Sequence, residues 1–269
     1  MSAAIANRRR SPRSVPVERS RRIELIGLRT IPEVNPGDDI AHLVWRAAQR
    51  EGAGIEPGDV IVLAQKIFSK AEGRIVSLRS VAPSALARTW AQTLRTDARF
   101  IEVVLRESRR IIRMSERVLI VETRHGFVCA NAGVDRSNVR KSGAVTCLPL
   151  DPDRSARKFA DRIRKLSGAR VGAIISDTFG RPWRLGLANV AIGAAGFEVL
   201  EDLRGTRDAS GHALQATILA IADELAAAAG LVMKKAAQVP AVIIRGAKIH
   251  PGKGVARQLI RPPAEDMFR

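Results

Sequence analysis

Tyrosine is absent from this chain of 269 residues, and aromatic side chains of every kind make up only 4% of it. Stacking platforms for nucleic-acid bases are therefore scarce, and no Lys/Arg block interleaves with aromatics. Cysteine occurs twice, as Cys129 and Cys147, with no His/Cys pair to complete a metal set. That leaves neither a zinc site nor a disulfide framework, and predicts two buried thiols in a reducing cytoplasm. The longest apolar stretches, 190–195 and 226–233, fall far short of the ~20 residues that cross a bilayer. No membrane span is expected. Four histidines (His42, His125, His212, His250) show no ligand spacing. No phosphate loop of the G-x-x-x-x-G-K-[ST] type occurs, since the nearest approach, Gly252-Lys253, is followed by glycine. Dinucleotide-binding G-x-G-x-x-G after a strand and the G-x-S-x-G elbow are missing too. Hydrolase triads and zinc chemistry lose their support. Carboxylates, lysines and arginines remain.

The formal charge is +18 and the hydrophobic content 46%. Seven arginines against one glutamate crowd residues 1–22, whose Arg/Ser/Pro composition reads as a disordered basic tail. The remaining arginines are dispersed. Such a balance suits an enzyme with polyanionic substrates. It also admits solvated surface arginines, or a basic nucleic-acid-binding protein.

From Ile23 the pattern becomes that of a folded domain, expected over 23–250. Strands are predicted at 23–28, 60–64, 171–175 and 241–245, with a hairpin at 118–123 and 127–132 turning through Arg124-His125-Gly126. Val60–Ala64 is continuously apolar, as in a strand buried on both faces. Helices are predicted from Asp38-Asp39 to Arg50, over 83–94, over 98–112, from Asp151 to Gly168, and over 213–230. Residues 251–269 show little pattern and read as a mobile C-terminal extension. Strands and helices mix without a strict alternation, so the expected class is α+β: mixed sheets with flanking helices in two intertwined subdomains.

Two aspartates stand out. Asp135 and Asp177 each close a short apolar stretch and are each expected to open a Gly/Ser/Asn-type loop followed by arginines, in Gly133-Val134-Asp135-Arg136-Ser137-Asn138 and Ser176-Asp177-Thr178-Phe179-Gly180-Arg181-Pro182-Trp183-Arg184. Hard oxygen donors in such a setting suit Mg²⁺ or Mn²⁺ holding a phosphate. Thr178 offers a hydroxyl ligand and Asn138 an amide for a nucleotide, while Lys70, on a loop beyond a buried strand, offers a point charge for a terminal phosphate. An aspartate after a strand also serves as a helix cap or Asx-turn. Arg181, Arg184, Arg204 and Arg207 are candidates for substrate anions or for surface pairs. Glu72 either pairs with Arg74 or acts as a base, His125 reads as a turn residue, and Trp183 either lines a pocket or packs in the core.

The wording of the sequence says more than its periodicity. Ala64-Gln65-Lys66-Ile67-Phe68-Ser69-Lys70-Ala71-Glu72-Gly73-Arg74, Ala130-Asn131-Ala132-Gly133-Val134-Asp135-Arg136-Ser137-Asn138, Leu148-Pro149-Leu150-Asp151-Pro152-Asp153 and the Ser176–Arg184 segment follow one another in this order. Together they resemble the coenzyme F420-0:L-glutamate ligase family, the γ-glutamyl ligases of deazaflavin cofactor synthesis, from about Ile23 to Gly246. The resemblance implies a GTP-dependent ligase joining L-glutamate to the carboxylate of coenzyme F420-0 and extending a γ-linked tail. It implies two Mg²⁺ or Mn²⁺ ions, a potassium ion and a homodimer; no flavin is expected. By position, Thr30, Ile31, Pro32 and Glu33 match the guanine-side loop, and Gln65, Lys66, Lys70 and Asn138 the nucleotide contacts. Asp135 and Asp177 match shared ligands of the first metal and Thr178 a ligand of the second, with Lys70, Asp135 and Asp177 at the reaction itself. One stretch departs from the family: its Met-Gly-x loop reads Met233-Lys234-Lys235-Ala236-Ala237-Gln238-Val239-Pro240 here, which puts the second metal's shell in doubt. The same ligase chemistry on another small carboxylate is the alternative substrate reading.

Overall fold

The computed structural model describes residues 22–116, 118–136, 143–234 and 237–267. Asn138 and all but Arg22 of the basic tail lie outside them. In chain order the first elements are β1 (Glu24–Leu28), α1 (Ile40–Arg50), β2 (Val60–Ala64), α2 (Gln65–Ala71) and β3 (Ile75–Ser77). Then come α3 (Ala85–Thr93), α4 (Ala98–Glu107), β4 (Ser108–Met114), β5 (Leu119–Thr123), β6 (Val128–Ala130) and β7 (Ala144–Thr146). The chain continues with α5 (Pro152–Ser167), β8 (Gly172–Arg181), β9 (Arg184–Ala195), β10 (Glu201–Asp202), β11 (Ile218–Leu219), α6 (Ile221–Met233) and β12 (Ala241–Arg245). The class is α+β, as the sequence predicts.

The main sheet runs β1-β12-β2-β8-β9, antiparallel except for the β2–β8 pair. Its central strand shows why it is buried on both faces. Ile61 and Leu63 enter the core beneath α1 and α5, while Val60 and Val62 enter the core beneath α6. Each such side chain contributes about 1.5–3 kcal/mol on burial. α5 turns Phe159 and Ile163 inward and α6 turns Leu225, Ala226 and Ala229 inward. A third core joins α3 and α4 to β5 and β7 through Ala87, Ile101, Val104, Val121 and Val145. Helix starts follow the sequence signals: Asp39, Ser84, Asp97 and Asp151 each accept a backbone N–H as N-caps, worth about 1 kcal/mol apiece. Gly193 on β9 lets the main sheet meet α5, because a Cβ there would stand 2.4 Å from the Pro152 carbonyl oxygen.

Five expectations need correction. The helix from Ala98 stops at Glu107, and Ser108–Met114 is a strand instead. Its β-branched Ile111 pairs antiparallel with Val121 of β5, with Ile112 at a register shift, rather than lengthening a helix. The late helix begins at Ile221, not Ala213, because 213–219 hydrogen-bonds back onto 201–208: Leu203 N–H donates to Thr217 O and Leu214 N–H to Thr206 O. Lys70 stands on α2 rather than on a loop, since β2 passes directly into helix at Gln65. Asp177 does not open a loop either, for β8 runs through it to Arg181 and forms a long hairpin with β9. The C-terminal extension is packed rather than loose: Ala256 is fully buried, and Asp153 accepts from Ala256 N–H at 2.7 Å and Arg257 N–H at 3.3 Å. Among the described residues no helix is long and apolar enough to cross a membrane.

Candidate functional site

β2 and β8 are the parallel pair, and β2 finishes at its carboxyl end with Ala64 opposite Ser176, beyond which β8 runs on. Ligand crevices in sheets with parallel strands form at such ends. The next residue on β2 begins α2 with Gln65, and the next on β8 is Asp177. Gln65 is buried and accepts from Ser69 Oγ at 2.6 Å. Lys66 Nζ stands 2.7 Å from Asp135 Oδ2. Asp135 is itself fixed by a backbone bridge with Thr146 on β7, at 3.0 and 2.9 Å. The two sequence-distant aspartates therefore flank one junction, Asp177 through sheet register and Asp135 through Lys66.

A second route joins them. The buried Cys129 thiol on β6 accepts from Gly133 N–H, two residues before Asp135, and feels the charge of Asp177. Burial foremost, then that charge, pushes its pKa up to about 12. Burial likewise raises Cys147 to about 11. Both thiols are free and buried, as their spacing predicts.

Thr178 extends the same edge. Its Oγ1 donates to Asn189 Oδ1 at 3.0 Å, and its N–H donates to Asp177 Oδ1 at 2.8 Å. Gly230 lets α6 approach closely here, since a Cβ on it would come within 3.2 Å of the Asn189 amide. Just before Asp177, β9 shifts register between the pairs Ile175–Gly193 and Ser176–Ala191. Asp223 on α6 accepts the Ala191 N–H at 2.8 Å, and burial pushes its carboxyl pKa up. Bulges of this sort re-aim side chains at functional sites. Neither Asn189 nor Asp223 carries a signal in the sequence.

Thr30–Glu33 is pinned at both ends. Glu51 Oε1 accepts from Arg29 N–H, Thr30 N–H and Thr30 Oγ1, each at 2.8 Å. At the other end Lys70 Nζ contacts Glu33 Oε1 at 2.6 Å, with the lysine largely buried. Ile31 packs against the α1–α5 core, and Pro32 is exposed. Thus Thr30, Glu33, Gln65, Lys66, Lys70, Asp135, Asp177 and Thr178 gather around β1, α2 and the β2–β8 ends, while Asn138 is outside the described residues. Glu51, which organises the loop, was not foreseen; a lone glutamate just past a helix end gives no warning.

Other candidates separate from this cluster. Glu72 accepts from Ser155 Oγ on α5, and Arg74 pairs with Glu107 at 2.7 Å rather than with Glu72. Arg204 is locked to Asp202, Arg207 donates to Gly211 O, and Arg181 donates to Leu185 O within its own hairpin. Trp183 is 78% exposed at the β8–β9 turn, which removes it from the core. His125 Nε2 lies 2.9 Å from Pro149 O, fastening its turn to the segment before α5.

The donor set admits a hard divalent cation. Asp135 Oδ2 already faces a positive group, the Lys66 ammonium, and Asp177, Thr178 and Asn189 supply further oxygens. Among the described residues no cluster of three or more His, Cys, Asp or Glu could hold a metal unaided. Mg²⁺ and Mn²⁺ commonly take one or two carboxylates and complete their shells with water and phosphate. The residues fit such an ion.

Comparison with known proteins adds the family. Residues 27–246 match the model described as F420-0:Gamma-glutamyl ligase. A protein of Methanopyrus kandleri named coenzyme F420:L-glutamate ligase is 49% identical over 242 residues, 88% of this chain and 94% of that one. Proteins of the same name from Methanothermobacter thermautotrophicus and Methanocaldococcus jannaschii are 47% and 43% identical, covering 92% and 94% of this chain and 99% of their own lengths.

Proposed function

The chain belongs to the F420-0:gamma-glutamyl ligase family, and on that footing we propose that it joins L-glutamate to the carboxylate of coenzyme F420-0 at the expense of GTP, then extends the γ-linked tail. What supports this reading is that Lys66, one residue past the start of α2 at the end of β2, pairs with Asp135, while Asp177 follows Ser176 on the neighbouring strand β8 and Lys70 stands one turn along α2. The family match alone gives the reaction class. The β2–β8 junction is where we propose that it happens.

Amide formation from a free carboxylate is uphill in water, because the departing oxygen is a poor leaving group. In the proposed sequence the acceptor carboxylate attacks the γ-phosphorus of GTP, the β–γ bond breaks, and GDP leaves. The acyl phosphate so formed is attacked by the glutamate amine after its ammonium has lost a proton. The carbon–oxygen bond to phosphate then breaks, giving amide and inorganic phosphate. A divalent ion held by Asp135 and Asp177, with Thr178 serving a second, would offset phosphate charge during transfer.

The chain's own residues supply position. The Thr30–Glu33 loop, held by Glu51 and Lys70, receives the guanine side, with Gln65 and Lys66 at the phosphates. Lys70 brings a largely buried ammonium to the γ-phosphate, and burial strengthens its field over that of a solvated charge. Holding donor and acceptor in line supplies most of the remaining acceleration.

The test is mass spectrometry of coenzyme F420-0 incubated with the protein, GTP, Mn²⁺ and L-glutamate. The reading predicts a mass gain of glutamate minus water, with one GDP formed per addition. GDP release with no adduct, or an adduct without nucleotide, contradicts it.

A further inference from the structure

A cavity of about 380 Å³ opens beside Asp135, within the range of small-molecule pockets, roughly 300–1,000 Å³. Its wall includes Arg95, Thr96, Phe100, Asn131, Asp135 and Arg136. It shares Asp135 with the reaction centre and none of the residues assigned above to the nucleotide.

Two features mark it as built for an anion. The Arg136 guanidinium is held in place, with Nη2 donating to Thr96 Oγ1 at 2.7 Å and Cζ 3.9 Å from the Phe100 ring centroid. A hydrogen bond and a cation–π contact together fix a group suited to bidentate recognition of phosphate or carboxylate. Arg95 sits where α3 ends, at φ +47°. Its N–H donates to Gln92 O and that of Thr96 to Ala91 O, the paired bonds of a helix stop that glycine usually closes. An arginine there costs about 1–2 kcal/mol of backbone strain. Asn131 and Ala132 also hold positive φ, 51° and 56°. Backbone strain clusters at ligand sites, where the surroundings hold it in place.

We propose that this cavity is the acceptor subsite, taking the anionic arm of the acid to be activated, with Arg95 and Arg136 gripping a second anionic group such as a phosphodiester. This rests on the ligase reading above. The Lys66 ammonium, 2.7 Å from Asp135 Oδ2, offsets the carboxylate in the cavity wall, and Asp97, which also feels the Arg136 charge, is paired with Arg99. Leu94 gives the wall an apolar part beside its charges, and the cavity exceeds what free glutamate fills.

The test uses the full chain and coenzyme F420-0. Binding is titrated by deazaflavin fluorescence without GTP or glutamate, and steady-state kinetics vary each substrate in turn. Arg95→Gly relieves the backbone while deleting the guanidinium, so its Tm should hold or rise. Arg136→Gln deletes the second guanidinium. Each should weaken F420-0 binding about tenfold or more, with the KM values for GTP and glutamate within about twofold of wild type. Unchanged F420-0 binding in folded Arg95→Gly and Arg136→Gln overturns the subsite, as does a rise confined to the glutamate KM. If wild type ligates normally and these variants do too, the subsite alone falls. A wild type that neither binds F420-0 nor ligates it sinks the ligase reading and the subsite together.

Discussion

Asp135 is faced by the Lys66 ammonium, and Asp177 by the Thr178 amide with its charge felt at the buried Cys129 thiol. Exchanging either for asparagine keeps its size and removes its charge. Asp135→Asn and Asp177→Asn should each lower ligation turnover by about two orders of magnitude or more, measured with saturating Mn²⁺. Near-normal turnover in either variant refutes that residue's role. Cys129 gives a pH prediction with a definite sign. Because burial and then Asp177 hold its pKa at about 12, only about one thiol in ten thousand is ionised at pH 8, and the thiolate is the reactive form. Native protein should resist alkylation at Cys129 and Cys147 at that pH and take two labels once unfolded. Rapid labelling of the folded chain contradicts the burial described here. The buried thiols were legible from residue type and spacing alone. The Glu51 clasp and Asn189 were not, because each depends on a partner many residues away that has no fixed spacing from it.

At the scale of elements, signals that act locally read well. Asp39 and Asp151 cap the helices they were expected to start, and Gly168 closes α5 at φ +76°. Where a segment's state is set by a distant partner, the sequence misleads. Ser108–Met114 has the charge and spacing to prolong α4, yet β5 captures it. The C-terminal extension looked patternless because its anchor is a carboxylate on α5. Asp153 accepts backbone N–H groups from Ala194, Ala256 and Arg257 at once. Asp153→Ala leaves three donors without that acceptor and should cost about 1–3 kcal/mol for each donor left buried. Limited proteolysis should then cut beyond residue 250 in the variant and not there in wild type. Equal resistance in both would show that the extension is held by other contacts.

For the whole molecule, the +18 charge leaves two readings that part cleanly in solution. A specific nucleotide complex stabilises the fold by mass action, by about 2.7 kcal/mol at a hundred times Kd. GTP with Mn²⁺ should therefore raise Tm measurably, duplex DNA at matched phosphate should not, and omission of the metal should abolish most of the shift. A duplex that binds with steep salt dependence instead would favour the nucleic-acid reading. The mixed sheet explains why α+β composition was readable while strand order was not. β12, the last strand, inserts between β1 and β2, a placement that no local pattern encodes.

Crystals grown with Mn²⁺ and GDP, and measured at the manganese absorption edge, test the central claim most directly. An anomalous peak bonded to carboxylate oxygens of both Asp135 and Asp177, and to a phosphate of the nucleotide, is the result expected. Manganese bound elsewhere, or at only one of the two with the other carboxylate turned away, would contradict it.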